Sequence, residues 1–368
     1  MEELVAHERG KNMSINSNPK ASIIVPAYNA EKSIELAVRS VLEQTYKQLE
    51  VIVIDDGSND NTGEILNGIA KEDSRLIVIQ KKKNEGVSAG RNSGLQMATG
   101  EYVGFLDADD WMESQMLEKM FASVEEINPD LIITGYSHDT MDEARRNVVV
   151  NKQVRMDACV CTNKQQIIEL AAECDSKKIY AYIWNKLYKR KLLVDNKLLF
   201  TNQSFSEDFL FNTRFWNFVN SLVVVDGVDY HYIKASKESL AQRFLPDFFK
   251  YMDERFESIK ELMEINNVYA GETRSKLANV YIKHAIAGIV RNYSKKAHYT
   301  FFKRYKLAKQ MMKSKNACEA RKYASGENKN EKVCNLIFKS RIVCVNLLFA
   351  KIIYIMQNSE KGTFDKVK

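Results

Sequence analysis

The stretch Gly100-Glu101-Tyr102-Val103-Gly104-Phe105-Leu106-Asp107-Ala108-Asp109-Asp110-Trp111 sets an apolar run directly against a cluster of carboxylates. A short apolar run with β-branched and aromatic members suits a strand buried on both faces. The run stops at Asp107, so the carboxylates sit at the strand's mouth. Hard divalent cations such as Mg2+ or Mn2+ favour carboxylate oxygen and keep positions open for phosphate oxygens. Aspartates are equally at home in turns and helix caps, so Asp107 and Asp109 taken alone fit either role.

The same punctuation recurs upstream. Ser22 to Pro26 reads as a short buried strand followed by the loop Ala27-Tyr28-Asn29. Glu31 to Glu43 carries Ile34, Ala37, Val38, Val41 and Leu42 at helical spacing. Val51 to Ile54 is a second β-branched run, stopped by Asp55-Asp56-Gly57-Ser58. Thr62 to Ala70 reads as helix, Leu76 to Ile79 as strand and Val87 to Met97 as helix. Strands alternating with helices through short connections predict a mostly parallel sheet covered by helices. Ligands of such open sheets bind beyond the carboxyl ends of the strands. Pro26 to Asn29, Asp55 to Ser58 and Asp107 to Asp110 all fall at those ends, so they are expected to converge on one edge.

Two of these clusters carry chemistry of their own. An acid at Asp55 or Asp56 can accept a hydrogen bond from a ribose or a nucleobase, although a tight turn with Gly57 explains the same residues. Asn84 to Asn92 opens a helix through Gly86, and a helix N-terminus favours anions. Arg91, one turn in, suits a phosphate or a neighbouring carboxylate.

Together the runs SIIVPAYN (22–29), VIVIDDGSND (51–60), NEGVSAGRNSG (84–94) and GEYVGFLDADDW (100–111) resemble the nucleotide-binding half of family 2 glycosyltransferases. All four stand in the family's order and spacing. The resemblance implies an α/β glycosyltransferase-A fold with a Rossmann-like nucleotide-binding half. It also implies a nucleotide-diphosphate sugar donor, UDP by preference, a Mg2+ or Mn2+ cofactor, and inversion at the anomeric carbon. Carried over, Pro26, Ala27 and Tyr28 would line the base pocket, and Asp56 or Asp55 would hold the uracil or ribose. Arg91 would help hold the donor, Asp107 would lie near the ribose, and Asp109 would be the direct metal ligand. Gly90 departs from the alanine more usual there, which implies a change in helix packing and not in chemistry.

The second half has fewer landmarks. Asp130 to Thr134 reads as a strand, and Ser137 to Val160 as irregular or hairpin-like. Gln165 to Ala172 and Glu207 to Phe218 read as helices, Leu222 to Val225 and Tyr230 to Ile233 as late strands. Glu207-Asp208 resembles the family's acidic pair, which implies Asp208 as the base that takes the acceptor's proton; its local pattern alone would suit a helix cap. Trp184-Asn185-Lys186 resembles a segment beside the acceptor site, where a tryptophan face suits sugar C–H surfaces, although a tryptophan packed in the core suits the same position. His231, between Tyr230 and Tyr232, suits a structural role more than a metal or diphosphate contact. Lys234 to Leu240 resembles the family's closing loop, with only Lys234 and Lys237 in place of its arginines.

Composition bounds the rest. With 368 residues, 45% of them hydrophobic and 28% charged, the chain is expected to hold one large globular core plus an appendage. The expected division is a polar extension over 1–20, a catalytic domain over 21–245 and a helical C-terminal region over 246–368. Within the catalytic domain, 21–111 forms the donor half and 112–245 the acceptor half. Six cysteines fit neither a zinc pair nor a disulfide framework, and Met1 to Lys20 has no apolar signal core, so reduced thiols in the cytoplasm are expected. The net charge of +6 is local: eleven Lys or Arg against one acid lie between Arg291 and Tyr323. No nucleic-acid motif accompanies them. Val333 to Met356 is apolar but broken by Lys339, Arg341, Asn346 and Lys351, too short a run to span a bilayer. On a helical wheel Asn335, Lys339 and Asn346 share one narrow stripe. The segment is expected either to pack in the C-terminal domain or to lie on the inner membrane surface. A break is expected over Gly326 to Lys332.

The reading is therefore an inverting, non-processive transferase adding sugar to a glycan or lipid-linked acceptor in surface polysaccharide synthesis. The multiple membrane spans and QxxRW motif of processive synthases are not found in this sequence. Two alternatives stand beside it. A nucleotidyltransferase would carry a glycine-rich basic loop where Pro26-Ala27-Tyr28-Asn29 stands. A degenerate nucleotide-binding scaffold would have no need of Asp107, Asp109 and Asp208 together.

Overall fold

The computed structural model describes residues 20–122, 124–141, 148–202, 206–233 and 244–358. The polar extension before residue 20 and the closing loop with Lys234 and Lys237 lie outside the described residues.

The first third alternates as read from the sequence: β1 (Ala21–Ala27), α1 (Ile34–Leu42), β2 (Leu49–Asp55), α2 (Thr62–Glu72), β3 (Leu76–Gln80), α3 (Val87–Met97) and β4 (Tyr102–Phe105). Then follow β5 (Trp111–Met112), α4 (Met116–Phe121), α5 (Val124–Ile127), β6 (Leu131–Met141), β7 (Val148–Val154), β8 (Cys159–Cys161), α6 (Lys164–Ser176), β9 (Lys186–Lys189), α7 (Arg190–Asp195), α8 (Glu207–Trp216) and β10 (Leu222–Ile233). The C-terminal region is helical: α9 (Phe248–Ile265), α10 (Gly271–Arg291), α11 (Phe301–Met312), α12 (Lys315–Tyr323), α13 (Lys329–Lys339) and α14 (Val343–Asn358).

The strands form one sheet in the order β3-β2-β1-β4-β9-β6-β10-β5, with β7 added on β6 and β8 on β10. Pairs β3-β2, β2-β1, β1-β4 and β6-β10 are parallel. β9 enters antiparallel between β4 and β6 and restores the common direction across them. Strands β1 through β4, β6 and β10 therefore point their carboxyl ends to one edge, as the three polar clusters required. β2 and β4 are buried at every residue and β1 at all but Pro26, which is why they read as unbroken apolar runs.

Several expectations change here. The two late strands are one, β10, with an irregularity between Val225 and Tyr230. Of the two readings of the 137–160 segment, the hairpin-like one fits its described part: β6 runs on to Met141 and β7 pairs antiparallel with it. The break at 326–332 is shorter than read, because α13 begins at Lys329, capped by the Asn328 side chain on Glu331 N–H.

The C-terminal helices share the core of the sheet domain. Arg255 of α9 donates to Asp175 of α6 at 3.0 Å and sits 4.0 Å over the Phe209 ring of α8. One half-buried arginine thus ties the C-terminal region to the helix that carries Asp208.

Candidate active site

β2 ends at Asp55, whose Oδ1 accepts from Ser58 N–H at 3.0 Å and so closes the turn. Gly57 takes φ +75°, and a Cβ there would lie 2.7 Å from the Lys83 carbonyl carbon. Asp56 Oδ2 accepts from Glu85 N–H and Gly86 N–H at 3.0 and 2.7 Å, and Lys81 pairs with its Oδ1 at 3.2 Å. Both carboxylates are buried. Their contacts join the second strand-end cluster to the loop that opens α3. The first cluster joins them: Asn29 N–H donates to Ser58 Oγ and Asp56 N–H to Ala27 C=O. Ala27 is buried, Pro26 half-buried, and Tyr28 presents an exposed ring at the mouth of β1.

Helix α3 reaches across the sheet edge through two consecutive residues. Asn92 exchanges hydrogen bonds with the Phe200 backbone, giving at 2.9 Å and receiving at 2.8 Å. Arg91, 3% exposed, binds three carboxylates: Asp208 Oδ1 at 2.6 Å, Asp107 Oδ1 at 3.2 Å and Glu207 Oε1 at 3.3 Å. Its guanidinium also lies 5.3 Å from the Phe200 ring centre. Burial opposes the guanidinium's charge, yet Asp208, Asp107 and Glu207 together hold its pKa above the ordinary arginine value. One side chain of α3 thereby fixes Asp107 at the end of β4 and the acidic pair at the start of α8.

Asp208 is the second residue of α8, and its side chain turns to Arg91. Burial pushes its carboxyl up to about 8, with Glu207 and Asp107 adding to the rise and Arg91 opposing it. The carboxyl keeps an opening to solvent, its side chain being 22% exposed.

After β4 the chain turns through Asp107 to Asp110, closed by Asp110 N–H to Asp107 C=O at 3.0 Å. Asp109 is exposed and Asp107 half-buried. Asp110 is buried and does a different job. Its Oδ1 accepts from Ile233 N–H and its Oδ2 from the Tyr230 hydroxyl, both at 2.7 Å. Tyr230 in turn receives Asp107 N–H at 3.3 Å. Burial, with Asp109 and Asp107 alongside, raises the Asp110 carboxyl well above the usual carboxylate range. The sequence reading gave Asp110 and Tyr230 no role. They latch the carboxylate turn to the end of β10, and their pairing across 120 residues leaves no local signal.

Of the four residues expected at the acceptor, Glu207 is half-buried on Arg91, and Trp184, Asn185 and Lys186 lie inside. Trp184 is 2% exposed and stacks with Tyr230 at 4.1 Å and Tyr182 at 4.5 Å, so it packs instead of offering an open sugar platform. Asn185 donates to Thr134 C=O at 2.7 Å from a buried position. Lys186 is buried, donating to Ile179 C=O at 2.7 Å, to Tyr182 C=O and to Asn185 Oδ1. Burial lowers its ammonium to about 7. These two residues brace the turn before β9. His231 stacks under Trp111 at 3.7 Å and is held between Asp139 Oδ2 and Glu113 Oε1.

Comparison with known proteins follows this geometry. The family described as glycosyl transferase family 2 matches residues 22–194. The glycosyltransferase EpsJ of Bacillus subtilis is 30% identical, over 74% of this chain and 78% of its own. The chain belongs to glycosyltransferase family 2. A second relative in sequence, over a shorter stretch, is the Escherichia coli UDP-Glc:α-D-GlcNAc-diphosphoundecaprenol β-1,3-glucosyltransferase WfaP. It is 41% identical over 31% of this chain and 49% of its own. The fold is that of S. aureus TarS 1–349, solved in complex with UDP, at TM-score 0.60 and 20% identity over 91% of each chain. The protein is accordingly a glycosyltransferase with the glycosyltransferase-A fold and an added helical C-terminal region.

Proposed function

We propose that this enzyme moves a sugar, with inversion, from a UDP-sugar to a hydroxyl of a glycan or lipid-linked acceptor in surface polysaccharide synthesis. The observation that carries this reading is the Arg91 bridge, which holds Asp107 of the donor half and Asp208 of the acceptor half on one guanidinium. A donor bound at the mouths of β1, β2 and β4 would bring its anomeric carbon to that junction. Tyr28 would cover the base, with the turn at Asp55 and Asp56 shaping the pocket for ribose and uracil. Arg91 Nη1 bonds Asp208 Oδ1, so Oδ2 is the oxygen that would take the acceptor's proton. The acceptor oxygen then attacks the anomeric carbon from the face opposite the diphosphate, and the bond to the diphosphate oxygen breaks with its electron pair.

Among the described residues no group of three or more His, Cys, Asp or Glu side chains is arranged to hold a metal ion, and Asp107, Glu207 and Asp208 are taken up by Arg91. The donor set nonetheless fits Mg2+ or Mn2+: one exposed carboxylate, Asp109, with Asp107 beside it, offers hard oxygen while diphosphate and water complete the shell. The bound cation would offset charge on the departing diphosphate. WfaP, whose name gives UDP-Glc and a diphosphoundecaprenol acceptor, supports both the uridine donor and a lipid-linked acceptor. Such an acceptor would hold the enzyme at the inner face of the cell membrane.

The test is turnover of a panel of UDP-, GDP- and dTDP-sugars with Mn2+, read by mass spectrometry of the released nucleotide. UDP release from one donor, abolished by excess chelator, is expected. Full activity in chelator would remove the cation from the account. Nucleotide binding without turnover of any donor would favour the scaffold.

A further inference from the structure

The last two helices bury polar side chains and leave apolar ones exposed. The polar stripe of the helical wheel faces the protein: Asn335 is buried and donates to Asn279 Oδ1 at 2.9 Å, and Asn346 is buried and donates to Ile337 C=O at 3.1 Å. Lys339 turns back to cap Ala324 C=O. α14 packs on α10 and α11 and buries Asn346, Leu347 and Ala350. The opposite side of α14 carries Cys344, Leu348, Ile352 and Ile355, all exposed and spaced by four, four and three residues. That spacing keeps them on one helical face. Leu348 is 61% and Ile355 55% exposed. Leu336 of α13, at 71%, and Ile342 in the turn between the helices, at 55%, add to the exposed apolar surface.

An amphipathic helix in water buries its apolar stripe and wets its polar one. Here Asn335 and Asn346 are satisfied within the protein beside Phe338, Leu347 and Ala350, while a second apolar stripe of α14 is turned out, as in helices that meet an apolar solvent on their outer side. The charge around the stripe is of one sign. From Lys332 to Asn358 the chain holds Lys332, Lys339, Arg341 and Lys351 and no acid. Pairing this face with a second copy of itself would bring like charges together, whereas an anionic lipid surface supplies their complement. Among the described residues no helix is long and apolar enough to cross a membrane, so the contact is one of lying on the surface.

We propose that the outer face of α13 and α14, centred on Leu348 and Ile352 and flanked by Arg341 and Lys351, docks on an anionic lipid surface. The inference rests on the reading of a lipid-linked acceptor only for its purpose, since the docking needs neither donor nor acceptor. It is tested by sedimenting the full chain with vesicles of phosphatidylcholine alone and of phosphatidylcholine mixed equally with phosphatidylglycerol. Binding is expected to the mixed vesicles, weakened by added salt. Leu348→Asp combined with Ile352→Asp should abolish it while circular dichroism and turnover of a soluble acceptor stay unchanged. Arg341→Ala and Lys351→Ala should each lower the partition about fivefold. Failure of the wild type to bind, or binding that survives the aspartate pair, overturns the proposal. A mass in solution that halves in the aspartate pair, with no vesicle binding, assigns the face to a second copy and overturns it too. Vesicle binding without any sugar transfer would leave this inference standing and count against the transferase reading alone.

Discussion

Replacing Arg91 by alanine removes the cation that three carboxylates share. In the folded protein its nitrogens lie 2.6, 3.2 and 3.3 Å from Asp208, Asp107 and Glu207. Breaking a buried pair by deleting one partner costs about 3–5 kcal/mol, because the remaining charge stays desolvated. The three carboxylate side chains retain 22%, 29% and 16% exposure, so water screens them in part and the lower end applies. Loss of the guanidinium from the Phe200 ring adds about 0.5–1 kcal/mol. A loss of about 3–4 kcal/mol is a large share of the total for a typical domain, ~5–15 kcal/mol. Urea unfolding followed by circular dichroism should therefore show a much lower midpoint at unchanged slope. Arg91→Lys keeps the charge but offers one nitrogen where Arg91 uses two, and should lose about 1.5–3 kcal/mol. Burial pushes the Asp208 carboxyl up to about 8, so it is a charged partner of Arg91 only above that value, and the gap between Arg91→Ala and wild type should be widest above about pH 8 and narrow below it. A variant within about 0.5 kcal/mol of wild type at every pH would refute the reasoning, since it would mean the carboxylates do not depend on Arg91.

The remaining expectations concern the same edge of the sheet. Because burial pushes Asp208 up to about 8, the carboxyl is protonated below that value and cannot accept the proton. kcat/KM should therefore rise as pH passes through about 8 and level above it, and a profile flat from pH 6 to about 9 would contradict the base. Gly90→Ala should stabilise by about 0.5–1 kcal/mol, since its Cβ would meet Pro26 Cβ at an ordinary 3.4 Å. Gly94→Ala, one turn on, should destabilise by about 1–3 kcal/mol, because its Cβ would fall 2.4 Å from Ile24 Cγ2. Thermal unfolding of the pair checks both signs. Tyr230→Phe strips a hydroxyl from the buried Asp110 and should cost about 1–3 kcal/mol with a fall in kcat, read by calorimetry and turnover.

The donor half was legible because its information is local. Apolar runs ending at carboxylates announce both the strand and its mouth, and four such motifs in order leave little freedom in how they are arranged. What escaped depends on partners far along the chain. β9 sits between β4 and β6, and nothing in Lys186 to Lys189 says that its neighbours begin at Tyr102 and Leu131. That insertion buries Asn185 and Lys186, which looked from sequence like acceptor contacts. Trp184 shows the same limit: an indole suited to a sugar is equally suited to Tyr182 and Tyr230, and only the fold brings those rings to it. The helical wheel of the C-terminal segment was legible, but which side of it faces the protein was not. Buried hydrogen bonds from Asn335 and Asn346 decided that, and their partners lie on other helices or in the preceding turn.

The transfer rate of Asp208→Asn at saturating donor and Mn2+ bears most directly on the division of labour along this edge. Asparagine keeps the size of the side chain and a contact for Arg91 but cannot take a proton. The account predicts that donor binding by calorimetry survives while transfer falls by about 100-fold or more. Transfer by Asp208→Asn at the wild-type rate would contradict it and leave Arg91 holding together a structure whose chemistry is done elsewhere.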